Sequence, residues 1–425
     1  MAGQRKQVVV LGGGFAGLMT ARTLVKAGAV GSLCDVTIVD AADAHVYTPW
    51  LYEAATCAIK GESAEVKAKM IAAAAFPYAE LPGFEAVRFV QAKIEGVDFD
   101  TKHVELAGKR KLPYDVLVIT LGAEPNYFGI PGLPDNALVL KQLIDAKRIQ
   151  LAVEKLFTTA TSRAPKHIVI AGAGPNGVEF VGELANTVRV LEHRRNLQFG
   201  SIKIALVDPA PDLFGILPVS LRKKAVRRLE TLGVDLKPGL RVSAVGQDAV
   251  TVFTASGKSE DQVKLPADLC IWSGGVKVNS LVVTLNLPLD DRGRLVLGSD
   301  YTVSGQPGVF AAGDCAALIN PHTGKADPQS AQVAHYQAHV LAGNILRSLQ
   351  GQPLKPAHLP ARWAFFSALG GAYAAGTLGG MKFWGLPAFA LRRISDLYYF
   401  LFLLPPRHAL KAWLVGVRLY RKNDR

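Results

Sequence analysis

A chain of 425 residues is too long for one ordinary domain and points to two or three. Hydrophobic residues at 49%, charged residues at 20% and a mean hydropathy of +0.20 describe a packed globular protein, far below the hydropathy of a multi-span membrane protein. The formal charge is +13, and nine Lys or Arg against two acids between Lys382 and Arg425 place +7 of it in the last tenth of the chain. A basic tail attracts nucleic acid and an anionic membrane surface equally well. No nucleic-acid motif accompanies it, so no nucleic-acid partner is expected. The four cysteines, Cys34, Cys57, Cys270 and Cys315, are scattered with no C-x-x-C pair. That argues against a metal cluster and fits free thiols in a reducing compartment.

The opening MAGQRKQVVVLGGGFAG has two basic residues and an apolar run, as a signal peptide has. The run covers only Val8 to Leu11 before it meets glycines, which suits a β-strand entering a phosphate loop. Asp40 ends the next strand, CDVTIVD. Residues 83–118 read as short antiparallel strands, the last a buried one from Val116 to Thr120. A polar helical connection over 141–163 leads to IVIAGAGPNG (168–177), a near-repeat of VVVLGGGFAG (8–17) about 160 residues later. The basic stretch LEHRRN (191–196) is expected to extend the helix after it. Strands are expected near 202–207, ending in Asp208, and near 269–272. The segment QPGVFAAGDCA (307–317) is another apolar strand, followed by a strong helix over 328–350. The final region is aromatic, basic and broken by Pro387, Pro405 and Pro406.

Gly12-x-Gly14-x-x-Gly17 between a strand and a helix has the context of a dinucleotide loop. The first glycine permits the tight turn, the second lets backbone reach a pyrophosphate, and the third allows close helix–strand packing. The helix start supplies unpaired N–H groups and a positive dipole end for phosphate. Asp40 is placed to hold a ribose hydroxyl pair. Gly172-x-Gly174-x-x-Gly177 with Asp208 repeats this, and an acid there repels a 2′-phosphate, which favours NADH over NADPH. Gly313-Asp314 at a strand end suits the ribityl chain of a flavin, with the helix from Ser330 pointing its positive end at the flavin ring. Glu179 is either a solvated helix-start charge or a group facing the nicotinamide–flavin junction; Glu183, one turn on, reads as structural. In the tail, LYYFLFLL (397–404) is too short to span a bilayer. Leu410, Trp413, Leu414, Val417 and Tyr420 share one helical face beside Lys411, Arg418 and Lys422, the pattern of a helix lying in a membrane interface. The alternative is a helix docked on the protein's own core or on a dimer partner.

With these motifs in place the chain resembles the two-dinucleotide-binding flavoprotein superfamily over essentially its full length. Within it the sequence is most similar to the type II NADH:quinone oxidoreductases. That resemblance is carried by TPWLYEAATC (48–57), TLGAEPNYFGIPG (120–132), AGPNGVEFVGEL (173–184), GILP (215–218), IWSGGV (271–276), AAGDCA (311–316) and AQVAHYQ (331–337). The last is similar to the family's quinone motif A-Q-x-A-x-Q-Q, with Tyr336 in place of its first paired glutamine.

The resemblance implies an α/β fold of two Rossmann-like domains with a C-terminal amphipathic helical membrane-association region. FAD binding falls to 1–125 and 276–350, NADH binding to 126–275, and membrane anchoring to 351–425. It implies FAD held at Gly12, Gly14, Phe15, Ala16, Gly17, Asp40, Gly122, Ala123, Gly313, Asp314, Ala331 and Gln332. NADH is held at Gly172, Gly174, Pro175, Asn176, Gly177, Glu179, Asp208 and Gly275. Glu179, Gln332 and Gln337 carry catalysis, with a hydride passing from NADH to FAD and two electrons to a membrane quinone without proton pumping. The expected location is peripheral, on the cytoplasmic side of the cell membrane, with a homodimer left open. Sulfide:quinone oxidoreductase is the rival enzyme, and it needs paired redox cysteines. A reductase for a small ferredoxin-like protein needs no amphipathic tail, and a flavin-bearing redox sensor is a rival of a different class.

Overall fold

The computed structural model describes residues 5–56, 64–255, 261–360 and 364–420. Two parallel sheets organise it. The first collects β1 (Lys6–Leu11), β2 (Cys34–Asp40), β3 (Val87–Gln91) and β4 (Val116–Ile119). The second collects β5 (Ala137–Val139), β6 (Lys166–Ala171), β7 (Ile202–Asp208), β8 (Val234–Pro238) and β9 (Leu269–Trp272). The chain then returns to the first sheet with β10 (Val309–Ala311). The two strand orders, β10-β4-β1-β2-β3 and β5-β9-β6-β7-β8, are the same arrangement built twice. In each, the strand that feeds a glycine loop is central and the strand that ends in aspartate is its neighbour. Central strands are covered on both faces, and accordingly β4 reads VLVI with every residue buried.

The helices follow the same duplication. α1 (Phe15–Lys26) leaves the first loop and α2 (Pro175–Arg194) the second. At 20 residues α2 outruns the 12 of α1, because Leu191 to Arg194 continue it as the basic insert suggested. α3 (Ala331–Leu349) packs along α1, and Ser330 caps it by accepting the Val333 N–H at 3.3 Å.

The region 83–118 departs from the antiparallel expectation in two strands, since β4 pairs parallel with β1 and β10. β3 joins the edge of the parallel first sheet, with Val36 opposite Val87. Only Ile94–Asp98, His103–Leu106 and Arg110–Pro113 form an antiparallel sheet. The reason is the crossover: some 46 residues of chain between Asp40 and Val87 allow a parallel return, where a tight turn would not.

After α3 come a three-stranded antiparallel sheet and two helices, α4 (Leu386–Leu403) and α5 (Pro406–Tyr420). Pro405 and Pro406 separate them, since a proline removes the N–H that would continue α4. Among the described residues no helix is long and apolar enough to cross a membrane. α5 docks on the protein itself through Ala409 and Gly416, beside the face read as interfacial. Ala409 and Gly416 are buried, Trp413 is half-buried with its indole N–H donating to the Arg393 carbonyl at 2.8 Å, and Leu410 is exposed. The cause is Gly416, which lies against the Trp50 ring so closely that an added Cβ would stand 2.1 Å from it.

Two glycine-to-alanine substitutions in helices should therefore differ in sign. Gly416→Ala forces α5 off Trp50 and is expected to cost about 1–3 kcal/mol by overpacking. Gly343→Ala in α3, where an added Cβ meets nothing within 4 Å, should stabilise by about 0.5–1 kcal/mol. Denaturant unfolding of both variants measures the contrast.

Candidate functional site: two dinucleotide loops joined by a buried charge cluster

The two loops agree atom by atom. Gly12 N–H donates to Val39 O and Gly172 N–H to Val207 O, each at 2.8 Å. Gly13 N–H donates to Asp40 Oδ2 and Ala173 N–H to Asp208 Oδ2, each at 2.6 Å. The second carboxylate oxygens accept from Ala42 and Ala210, each at 2.8 Å. Both aspartates are thus fixed at the strand ends, with remaining lone pairs for a ribose.

Gly12 and Gly172 hold φ of +96° and +108°, where a side chain would strike the carbonyl of Thr120 or of Ser273. At Gly17 and Gly177 an added Cβ would lie 2.0 and 1.9 Å from the carbonyl of the first loop glycine. Gly14 and Gly174 face open space, with nothing within 4 Å of an added Cβ. Both are helix N-caps without a side-chain cap, and no acid sits in either first turn. Open volume in front of uncapped N–H groups fits the pyrophosphate of a dinucleotide. Pro175 at the start of α2 lacks an N–H, so Asn176, which is exposed, and Gly177 carry the next ones.

Around the first loop the fold assembles what the sequence scatters. Gly313, at φ +80°, sits between Ala16 and Ala334, whose Cβ atoms would be 3.3 and 3.6 Å from a Cβ placed there. Asp314 follows with its carbonyl accepting from Gln329 at 2.8 Å; burial pushes its carboxyl up, and Lys141 opposes this. Gln337 is 1% exposed, accepts the Gly313 N–H at 2.8 Å and donates to Asp327 at 3.1 Å. Its side chain therefore fixes the Gly313 turn. Gln332 and Ala331 open α3, and Gln332 is exposed. Gly122, Ala123 and Gly275 lie where the chain crosses between the sheets, at the antiparallel pairing of Ala123–Pro125 with Val276–Val278.

Glu179 is 9% exposed, not a solvated helix-start charge. Its carboxylate accepts from the Ala368 N–H at 3.2 Å and lies 3.7 Å from Arg392 Nε on α4. Arg392 in turn pairs with Asp396 and donates to the Pro49 carbonyl. Arg393 pairs with Glu53 and lies 3.6 Å from Asp396. Asp396 also accepts from the Tyr47 hydroxyl at 2.7 Å and the Trp50 indole at 3.0 Å. Three carboxylates and two guanidiniums are thus buried together. Burial pushes Glu53 and Glu179 up while the arginines pull them down. At Arg392 and Arg393 burial works against the charged form, but the carboxylates prevail and hold both pKa values above the usual one. Glu183 accepts the Gly371 N–H at 3.1 Å, a structural contact.

None of these tail partners was singled out by the sequence reading. Arg392 and Arg393 counted there as surface basicity; in the fold they are interior ions. The available signal was two arginines and an aspartate inside an otherwise apolar helix. His45, Tyr78 and Tyr399 were also missed. Gly13 O accepts from Tyr78 at 3.0 Å and contacts His45 Nδ1 at 3.2 Å, while His45 Nε2 meets the Tyr399 hydroxyl at 2.9 Å. Since a carbonyl only accepts, Nδ1 carries the proton and Nε2 accepts from Tyr399. Phe15 packs against this group, edge-on to the His45 ring at 5.0 Å and tilted to Tyr399 at 5.1 Å. No local pattern marks such partners.

The family model described as pyridine nucleotide-disulphide oxidoreductase matches residues 6–338. A type II NADH:quinone oxidoreductase of Staphylococcus saprophyticus is 30% identical over 402 residues, covering 93% of this chain and 95% of that one. Its counterpart in Staphylococcus aureus is 30% identical over 357 residues, 83% of this chain and 85% of that one. Among solved structures, NDH2 of Plasmodium falciparum in complex with NADH has a TM-score of 0.80 at 16% identity, covering 99% of each chain. The sulfide:quinone oxidoreductase of Aquifex aeolicus has a TM-score of 0.75 at 19% identity, covering 97% of this chain and 92% of that one. These two likenesses are of fold.

Burial holds the His45 imidazole down at about 4, against the backbone hydrogen bond to Gly13. The unfolded chain then binds a proton here near pH 6.5 that the folded chain refuses until about pH 4. Its contribution is complete above pH 6.5 and is lost as pH falls through that window, by up to about 3 kcal/mol. His45→Gln should flatten the acid limb of a stability–pH curve by one proton.

Proposed function

The chain belongs to the type II NADH:quinone oxidoreductase family, and from that membership we propose that it carries electrons from NADH through bound FAD to a membrane quinone without pumping protons. FAD supplies the two-electron chemistry, receiving a hydride and passing two electrons on. The observation that carries the reading is the duplicated loop with its aspartate, one copy per dinucleotide. The first copy is the FAD half, in which Gly12 to Gly17, Asp40, Gly122, Ala123, Gly313 and Asp314 hold the flavin nucleotide. The second is the NADH half, with Gly172 to Gly177, Asp208 and Gly275. Its domain runs over 126–275, between the two FAD segments 1–125 and 276–350.

The protein's own contribution is orientation and electrostatics. The N-terminus of α3, at Ala331 and Gln332, would offer N–H dipoles to a bound flavin and favour negative charge on it. Glu179 stands in the second turn of α2, withdrawn from water and restrained by Arg392, as a group facing the hydride-transfer junction. Gln332 is the residue for the quinone head group. Gln337 has both ends of its amide engaged, so its role is to position the Gly313 turn rather than to contact quinone.

The tail, 351–425, serves as the membrane contact. Ile394, Tyr398 and Leu401 form an exposed apolar stripe on α4, with exposed Arg407, Lys411 and Arg418 on α5. An apolar stripe edged by cations suits an anionic bilayer surface. NADH is supplied on the cytoplasmic side, which puts the enzyme on that face.

Sulfide oxidation is the less favoured chemistry. It calls for two thiols that meet, and among the described residues Cys34, Cys270 and Cys315 are separate free thiols. Burial pushes them up to about 11, 12 and 11. Cys315 donates to the Ile119 and Ala312 carbonyls at 3.5 Å. Cys57 lies outside the described residues.

Stopped-flow flavin absorbance with NADH, NADPH or sulfide as reductant, then reoxidation by quinone, tests the function directly. Fast reduction by NADH alone is expected; reduction by sulfide instead would overturn it. Gln332→Ala should leave NADH-driven reduction intact and slow quinone turnover about tenfold, the effect of about 1.4 kcal/mol. Equal loss in both half-reactions counts against its assignment. Replacing Lys411 and Arg418 together by Glu should weaken binding to anionic vesicles by about 1 kcal/mol or more per charge, read by co-sedimentation.

A further inference from the structure

Among the described residues, seven that are not glycine hold a positive φ. Lys102, Lys109, Asn196 and Asn286 are exposed polar residues. Phe214 and Tyr301 are buried, so packing of their rings offsets the strained backbone. Phe128 is different. Its φ is +50° and its side chain is 61% exposed, so no burial compensates a conformation that bulky residues avoid.

The surroundings hold this strain in place. Phe128 N–H donates to Asn126 Oδ1 at 2.9 Å. Asn126 itself donates from its N–H to the Gly275 carbonyl at 3.1 Å and accepts the Trp272 indole N–H at 2.8 Å. The ring meets Trp272 edge-on at 6.3 Å. Its tip covers Gly275, where an added Cβ would be 3.4 Å from Cζ. Two residues before Gly275, the Ser273 carbonyl closes against Gly172, the first glycine of the second loop. An exposed aromatic face is thereby fixed beside the nucleotide loop, on the side of β9. Strain that the surroundings over-determine, and that packing does not compensate, belongs with a ligand.

We propose that Phe128 is a specificity-determining residue of the nicotinamide nucleotide site, its ring forming the apolar wall against which the bound dinucleotide packs at Gly275. This rests on the assignment of NADH to the second loop. The wall acts in binding: it raises affinity for the dinucleotide in either redox state and shields it from water, and it takes no part in electron transfer to quinone.

Phe128→Asn accepts a positive φ without the ring, Phe128→Leu keeps apolar bulk without the aromatic face, and Phe128→Tyr keeps both. In the full chain with FAD bound, the Asn variant should unfold at an equal or higher denaturant concentration, since strain is relieved. Its KM for NADH and its Kd for NAD should rise about tenfold, with quinone reoxidation of the reduced enzyme unchanged. Leu should raise KM less, and Tyr should restore the parent value. If Asn fails to fold, the Leu and Tyr pair still decides. An unchanged KM in the Asn and Leu variants overturns the proposal, whether stability falls with it, marking a packing role, or vesicle association falls, marking a membrane contact. A parent enzyme that NADH does not reduce would instead remove the assignment of the second loop, a separate failure.

Discussion

Asp396 is the point on which the arrangement of this protein turns. It has no exposed surface, and it accepts from Tyr47, Trp50 and Arg392 at once. A buried carboxylate is tolerated only when its oxygens are fully engaged, and removing one partner of such a pair typically costs about 3–5 kcal/mol. The requirement fixes α4 in one position relative to the first sheet. Arg392 and Arg393, on the adjoining turn, then reach Glu179 on α2 and Glu53 on the short helix Leu51–Thr56. The cluster therefore joins the tail to both nucleotide-binding halves.

A second link runs through neutral groups. Tyr399, one turn beyond Asp396, donates to His45, which donates to the carbonyl of Gly13 in the first phosphate loop. The tail helix thus touches the first loop by a hydrogen-bond chain and the helix after the second loop by an ion pair. The exposed apolar residues Ile394, Tyr398 and Leu401 sit on the outer face of the same helix. The surface proposed for the membrane and the residues that brace the two loops are therefore opposite sides of one element. This explains why a region with the composition of a peripheral anchor carries so many interior polar contacts.

Glycine is used in this chain in two ways that the structure separates. Gly17 and Gly177 are required because backbone passes where a Cβ would be, whereas Gly14 and Gly174 face open space of the kind a pyrophosphate needs. The first kind serves packing and the second serves binding. Gly416 belongs to the first kind, and it turns α5 onto Trp50 rather than leaving the helix to lie free on a surface.

The loops, their aspartates and the strand–loop–helix order were legible in the residues because each is a local device. A strand, a turn of fixed glycine spacing and a helix start fall within about 30 residues, and their hydrogen bonds are dictated by that spacing. The duplication and the family resemblance followed from the same short segments. The rest depended on contacts between distant parts of the chain. Tyr47 and Asp396 stand 349 residues apart, and no periodicity pairs them. Gln337 matched a motif, yet only the fold shows its amide engaged by Gly313 and Asp327. Arg392 and Arg393 counted as surface charge until burial supplied their partners. Residue type and spacing determine which backbone loop can cradle a phosphate; which charges are interior ions is decided only when the chain brings their counterions together.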